Sequence, residues 1–214
     1  MFSNIDLRSW IVEALYRIPG ILIGLSFHEW AHAYAAYKRG DPTARNLGRM
    51  TVNPIAHLDP IGIVMLLIVG FGWARPVPVN PRNFKNPRKD DIIVSLAGVT
   101  TNIIIAFVFM GLLYALSLFT QNEVAYYLIL YVVYINVGLF IFNLIPVPPL
   151  DGYHVFQALF VRYLGYRFFQ FLERYGSYIL IAIVLGASGV LGAAVEGIIG
   201  LFDSFYSWLF SLFI

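Results

Sequence analysis

The chain has 214 residues, of which 59% are hydrophobic and only 12% are charged. An average soluble domain has about 25% charged residues, so this composition predicts a polytopic membrane protein. The net charge of +2 gives no reason to expect a nucleic-acid partner, and the absence of cysteine excludes disulfide scaffolds, cysteine zinc sites and thiol nucleophiles.

The N-terminal stretch 4–18 predicts an amphipathic helix that lies in the membrane interface. A cleaved signal peptide would have an uninterrupted apolar run, whereas three charged residues interrupt this stretch: Arg8, Glu13 and Arg17. We expect Pro19-Gly20 to end this helix. Residues 20–38 are then apolar enough, and about long enough, to span a bilayer as a helix.

The next segments predict non-spanning structure. Residues 43–60 mix Gly, Asn and Pro with β-branched residues, which indicates a short strand or a small β-hairpin. The apolar stretch 61–73 has 13 residues, too few for a span, and suits a short re-entrant segment. Residues 74–91 form a polar, proline-rich loop.

The remaining chain predicts three further spans, at 92–119, 124–145 and 177–200. The prolines at 146–149 cannot continue the second of these helices, and the aromatic tail 202–213 fits a membrane interface. The predicted fold is therefore an all-α polytopic membrane protein. It has about four transmembrane helices, an N-terminal interfacial helix, a re-entrant segment and a β-hairpin after the first span.

The distribution of positive charge predicts the orientation in the membrane. Of the 14 Lys and Arg residues, nine lie in 38–91 and three in 161–175, and the turn at 121–123 has none. By the positive-inside rule, the two basic regions are cytoplasmic. Polar residues near them are then expected close to the cytoplasmic side of a cell membrane.

The first predicted span contains the motif His28-Glu29-Trp30-Ala31-His32. Positions i and i+4 share a face of a helix, so both imidazoles can bind one zinc ion and the glutamate can reach a water on the metal. Two core histidines with other partners are the alternative interpretation. It fits poorly here, because ionisable groups in an apolar span are costly and therefore functional candidates.

A catalytic zinc ion usually has a third protein ligand, for which five residues are candidates: His57, Asp59, Asp151, His154 and Glu196. Asp151 fits best, because it follows a broken helix where irregular backbone can line a cavity. Gly152 would let the chain turn beside the metal. His57 and Asp59 also fit a capping or bracing role, His154 fits a partner of a ligand, and Glu196 fits a paired polar group.

These residues together resemble the site-2 protease family. The resemblance rests on HEWAH in an apolar helix and on a late segment that runs from Asn143 through Pro146 to Asp151-Gly152. The loop GDPTARNLGRMTVNPIAHLDPIG and the stretch SLAGVTTN are also similar to small bacterial members, although Val99 stands where the family commonly has proline. The resemblance covers residues 20 to about 160.

The resemblance implies a zinc-dependent intramembrane endopeptidase that cuts transmembrane segments of protein substrates. It implies His28, His32 and Asp151 as zinc ligands, Glu29 as the catalytic acid/base and Asn143 as a substrate contact. It leaves Asn102 open between a substrate contact and a brace between helices. We expect one membrane-embedded protease domain, with its core at about 20–160 and a C-terminal helix and aromatic tail at 177–214. The sequence does not indicate an oligomeric state.

A helical substrate must unwind locally before its carbonyls can be attacked. An edge strand at 45–53, which includes Met50, would hold the unwound segment by β-addition; a plain connecting hairpin is the alternative. Other functions were also weighed: a different membrane zinc enzyme with glutamate as third ligand, a transporter-like protein, and an inactive zinc-binding relative. The presence of Glu29 and the lack of an internal repeat favour the protease.

Overall fold

The helices of the protein follow its apolar stretches, and prolines occupy the first positions of two of them. The computed structural model describes residues 7–69 and 73–212. This part of the chain contains eight α-helices: α1 (Leu7–Arg39), α2 (Thr43–Asn46), α3 (Pro60–Val69), α4 (Pro87–Ser117), α5 (Glu123–Asn143), α6 (Asp151–Leu164), α7 (Tyr166–Gly186) and α8 (Ser188–Ser211). Proline suits a first helical position because it has no N–H to leave unpaired.

Five helices of the described chain are long and apolar enough to cross a membrane, namely α1, α4, α5, α7 and α8. Four spans were predicted. The additional helix arises because the predicted span 177–200 is wrong: the chain breaks at Ala187, so that its halves belong to α7 and α8. Aromatic residues of the C-terminal tail pack on α4, where the Tyr206 hydroxyl donates to the Phe107 carbonyl at 3.0 Å.

The predicted break at Pro19-Gly20 is also wrong, because α1 runs through it without interruption. The charges before the proline are neutralised locally, since Arg17 pairs with Glu13 one turn earlier. Gly20 packs so tightly on α5 that a Cβ there would lie 2.9 Å from the Tyr131 carbonyl oxygen. Helix packing therefore outweighs the single hydrogen bond that proline removes. Residues 4–6 of the predicted interfacial helix lie outside the described residues.

The predicted β-hairpin at 43–60 is wrong, since the described residues contain no β-strand and only one isolated bridge. The polar residues that suggested hairpin turns are helix caps instead. The Asn53 side chain accepts from the Ile55 N–H at the start of a 3-10 turn, Pro54–Ala56. Gly48, with φ +67°, follows the short helix α2. Asn, Pro and Gly favour hairpin turns and the ends of short helices alike. In this segment they form short helical turns.

The ends of the predicted re-entrant segment meet each other. Leu58 and Ala74 form the antiparallel bridge, and the Arg75 N–H donates to the His57 carbonyl at 2.7 Å. Gly62 is required at this point, because a Cβ would lie 2.0 Å from the Trp73 carbonyl oxygen. The two ends of the segment that contains the ten-residue helix α3 are therefore held side by side.

Helices α1, α4 and α5 pack against one another and form the centre of the molecule. Their contact faces carry small residues and, unusually for spanning helices, buried asparagines: Asn102 on α4 and Asn136 on α5. Helix α8 covers the opposite faces of α4 and α5, whereas α6 packs on α4 near its first turns. This arrangement brings the start of α6 next to the second half of α1.

The carboxylate of Asp41 is fully buried and connects the end of α1 to the segment before α4. Its Oδ1 accepts from the N–H and the hydroxyl of Thr43 and from Asn83 Nδ2, and its Oδ2 accepts from the Asn80 N–H. Burial tends to raise the pKa of Asp41, but these donors lower it below its ordinary range. The ionised group therefore stabilises the fold above the ordinary carboxyl pKa, and this contribution is lost as the pH falls through the lowered pKa.

Replacing Asp41 by asparagine turns one acceptor oxygen into a donor that faces a buried donor. We expect Asp41→Asn to reduce the free energy of unfolding by about 1–3 kcal/mol, measured as a lower thermal midpoint in detergent at neutral pH. Asp59→Asn is the control, because the Asp59 cap on Ile61 and Gly62 uses Oδ1 alone. Equal midpoints for the two variants would contradict the role of Asp41.

Candidate metal centre and active site

The second half of α1 carries three buried ionisable side chains, His28, Glu29 and His32. The two histidines are one helical turn apart, and their Nε2 atoms lie 2.9 Å from each other. Asp151, the first residue of α6, brings its Oδ2 to 3.2 Å from His28 Nε2 and to 3.3 Å from His32 Nε2. Two neighbouring histidines and a carboxylate that is distant in sequence thus converge on one point.

A tight backbone contact places Asp151 there. Helix α5 ends at Asn143, and the following prolines lead directly into α6. A Cβ on Gly152 would lie 2.3 Å from the Leu144 carbonyl oxygen, so glycine lets the first turn of α6 rest on the end of α5. Gly152 was predicted to let the chain turn, but it is helical. The structure requires glycine at this position because the backbone of Leu144 lies so close.

The three converging atoms are suited to a cation. The His32 Nδ1 atom lies 2.8 Å from the Val94 carbonyl oxygen, which can only accept, so Nδ1 carries the proton and Nε2 keeps a lone pair. The Asp151 Oδ2 atom is buried and has no hydrogen-bond partner. Tetrahedral zinc with bonds of about 2.0–2.1 Å separates its ligand atoms by about 3.3–3.4 Å. The Asp151 oxygen lies 3.2 and 3.3 Å from the two imidazole nitrogens, which agrees with this spacing, and the nitrogens are somewhat closer to each other, at 2.9 Å. The residues therefore fit zinc.

Glu29 is fixed by the segment that precedes α4. Its Oε2 accepts a hydrogen bond from the Val77 N–H at 2.7 Å. Val77 lies between Pro76 and Pro78, so it is the one residue of this tripeptide that can donate from its backbone. The Val77 side chain is buried against Ala33 and Ala44, which anchors the donor.

A cavity of about 570 Å³ opens beside the converging side chains. Its wall combines apolar residues with a few polar groups, the arrangement typical of a substrate site. Asn143 lines it, and its Nδ2 also donates to the Leu139 carbonyl at 3.0 Å. The other lining residues include Trp73, Ala74, Pro76, Val77, Asp91, Ser95, Phe142, Pro149 and His154.

The other candidates for a third ligand lie elsewhere or have other partners. The His57 Nε2 atom is 2.6 Å from the Thr51 carbonyl oxygen, and Asp59 caps α3. Glu196 accepts from the Tyr134 hydroxyl at 3.2 Å. His154 lines the cavity, and its Nδ1 lies 3.7 Å from Asp91 Oδ2. The Asp91 carboxylate raises the pKa of the His154 imidazole.

The structure places the two remaining predicted substrate residues away from the cavity wall. Asn102 is fully buried, with its Oδ1 2.7 Å from His28 Nδ1. Met50 is half-buried against the cluster of Ala33, Ala44 and Val77, and is not among the described residues that line the cavity. Since residues 45–53 form no strand, the idea of an edge strand there loses its basis.

The sequence analysis did not identify two residues that shape the candidate site, Gly98 and Val77. Gly98 faces both histidines, and a Cβ would lie 2.5 Å from His32 Nε2 and 2.6 Å from His28 Cε1. Its signal was a glycine inside a predicted helix, a position that usually has a packing reason. Val77 acts through its backbone, so its side chain gave no signal, although the flanking prolines leave it as the only backbone donor of that tripeptide.

Comparison with known proteins agrees with this geometry. The family model described as Peptidase family M50 matches residues 114–187, which include Asp151. The chain is 37% identical over 203 residues to "Putative zinc metalloprotease YwhC" of Bacillus subtilis, a match that covers 89% of this chain and 92% of that protein. It is 31% identical over 150 residues to a protein named Rip2 of Mycolicibacterium smegmatis, covering 68% of this chain and 57% of that protein. No solved structure matches the chain.

The fold and the matches define a multi-pass membrane metalloprotease. The chain belongs to peptidase family M50, the site-2 proteases. It is a zinc-dependent intramembrane protease, and its substrates are membrane proteins in the bilayer. The predicted family, activity and cofactor are thereby confirmed.

A methyl group at position 98 would occupy the space of the two imidazoles. We expect Gly98→Ala to displace them and to reduce the zinc content of the purified protein to well below one ion per chain, measured by metal analysis. Gly138→Ala is the matched control on α5, because no atom lies within 4 Å of the Cβ that it adds. Full zinc occupancy in Gly98→Ala would contradict this packing argument.

Proposed function

We propose that His28, His32 and Asp151 hold the catalytic zinc ion and that Glu29 is the acid/base residue of this peptidase. The observation that carries the proposal is the convergence of two Nε2 atoms and one carboxylate oxygen within 3.3 Å, on the wall of a cavity that Glu29 also lines. Two histidines, one carboxylate and an open side form a common catalytic zinc site.

The chain's own residues divide the remaining work. A zinc ion held by His28, His32 and Asp151 would polarise the scissile carbonyl and would lower the pKa of a water towards neutral pH. Because the Val77 N–H holds Oε2, Glu29 accepts the proton of this water at Oε1 as the water oxygen bonds to the carbonyl carbon. Glu29 then delivers the proton to the leaving amine as the C–N bond breaks. Asn143 donates its second amide hydrogen to a substrate carbonyl or to the developing oxyanion.

The substrate segment enters as unwound chain beside Asn143 and the segment 73–80. A helix cannot present its carbonyls to the site, because they accept hydrogen bonds within the helix. The cavity lies between α1, α4, α5, α6 and the segment 73–80. A substrate helix approaches it from the membrane and unwinds locally at the cavity. The bonds that are cut lie in transmembrane segments.

We place the site nearer the cytoplasmic side of the membrane. Helix α1 ends at Lys38 and Arg39, and α4 begins with Arg88 and Lys89 in its first turn. His32 precedes Arg39 by seven residues, about 10 Å along a helix. The positive-inside rule assigns these basic ends to the cytoplasm, so water reaches the site from that side.

Removing the carboxylate of Glu29 separates metal binding from catalysis. We expect Glu29→Gln to keep about one zinc ion per chain and to cleave single-span model substrates about 10²–10⁴-fold more slowly, because general acid–base transfer contributes about this factor. Zinc content and cleavage are measured on the same detergent-purified protein. Glu196→Gln, which alters the carboxylate beside Tyr134, should change neither. Undiminished cleavage by Glu29→Gln would contradict the role of Glu29 as the acid/base residue.

Proline at position 77 would remove the hydrogen bond to Glu29, and it suits the extended backbone that a residue before Pro78 prefers. Proline at position 77 lacks the N–H, whereas Val77→Ala keeps it and loses only side-chain packing. We expect Val77→Pro to retain zinc and to lower kcat by about 10-fold or more, because Glu29 loses its orientation. Val77→Ala should stay closer to wild type. If both variants behave alike, packing and not the donor holds Glu29.

A further inference from the structure

The side of His28 that faces away from the converging ligands is held by a chain of two buried asparagines. Asn102 Oδ1 lies 2.7 Å from His28 Nδ1, and Asn102 Nδ2 lies 2.9 Å from Asn136 Oδ1 and 3.1 Å from the Gly24 carbonyl oxygen. Asn136 Nδ2 in turn donates to the Val132 carbonyl at 2.9 Å. Both asparagines are completely buried.

Backbone carbonyls determine which way each amide points. The Val132 carbonyl can only accept, so the NH₂ group of Asn136 faces it and the Asn136 oxygen faces Asn102. The Asn102 side chain therefore turns its NH₂ group towards two acceptors, Asn136 Oδ1 and the Gly24 carbonyl. Its own oxygen is left opposite His28, where it can accept a hydrogen bond but cannot donate one.

We propose that Asn102, supported by Asn136, is a positioning residue that fixes the tautomer and the ring plane of His28. An acceptor at Nδ1 requires the proton on Nδ1, which leaves the Nε2 lone pair directed at Asp151 and His32. A partner on the second nitrogen also orients a ligating ring and increases its basicity. The inference rests on the proposed zinc site, because it assigns the role of one of its ligands.

The two histidines are oriented by different means. Val94, on α4, holds the Nδ1 of His32 through its backbone carbonyl, which any residue at position 94 would provide. His28 depends on a side chain, and that side chain depends on a second one. The asparagine pair joins α4 and α5 to α1, so His28 is the ligand whose orientation responds to the packing of all three helices.

The geometry separates this role from the alternatives raised by the sequence. A substrate contact would require Asn102 to reach the cavity, but it is fully buried behind His28 and is not among the described lining residues. A simple brace between helices would satisfy Asn102 with Gly24 and Asn136 alone. The short contact with His28 Nδ1 is the additional feature that links the pair to the metal centre.

The test measures zinc affinity, by competition with a chromophoric chelator, on full-length protein in detergent. Asn102→Leu should weaken zinc binding about 10–100-fold, the usual effect of removing such a partner, and should alter the visible spectrum of the cobalt-substituted protein. Asn102→Asp should retain more affinity than Asn102→Leu, because it keeps an oxygen opposite Nδ1, although its other oxygen faces the Gly24 carbonyl and Asn136 Oδ1. Asn136→Leu should give a smaller loss in the same direction, and serves if Asn102→Leu does not fold.

Thr101→Val is the matched control, since Thr101 is the neighbouring polar residue on α4 and its hydroxyl donates to the Ala97 carbonyl of the same helix; it should keep the wild-type zinc affinity. Monodispersity and helical circular dichroism identify the folded variants. Wild-type affinity in folded Asn102→Leu, or equal losses in Asn102→Leu and Asn102→Asp, would overturn the positioning role and leave the zinc site intact. A wild-type protein that binds no zinc would overturn the site itself.

Discussion

Polar side chains inside an apolar helix must find partners within the protein, because the bilayer supplies none. In α1 this constraint falls on His28, Glu29 and His32, which are all buried. Each has one atom tied to the surrounding helices or to the segment before α4, and each keeps another for chemistry. The atoms that bond to the surrounding protein belong to the site as much as the reacting atoms do. An imidazole without a partner on its second nitrogen could rotate or take the wrong tautomer.

Close helix packing makes these partnerships possible, and the middle of α4 contributes most to it. Gly98 leaves room for the imidazoles, and Asn102, one turn further on, reaches His28 from the same face. Gly24 on α1 likewise leaves room for a side chain, because a Cβ there would lie 3.1 Å from Asn136 Oδ1. The absence of side chains at two positions thus lets backbones approach until short amide side chains can bridge them.

Sequence reasoning anticipated the convergence of His28, His32 and Asp151, which depends on local chemistry, and their role as zinc ligands stays a prediction. The spacing of His28 and His32 follows from helix geometry alone, and the proposal of Asp151 needed only the proline break before it. It failed where the outcome depends on packing between distant segments. Pro19 was expected to end a helix that α5 keeps intact, and the turn-forming residues at 43–60 serve as helix caps in place of hairpin turns. A pattern of Asn, Gly and Pro identifies turns but not what they connect.

A ribosome completes His32 well before Asp151, which lies 119 residues further along the chain. Helices α1, α4 and α5 precede α6, so the nascent protein can assemble the histidine pair and its asparagine support without the third ligand. Two imidazoles alone hold zinc more weakly than the full set does. In the proposed site, the full zinc ligand set therefore requires α6, and a chain that ends before Asp151 has only two of the three proposed ligands.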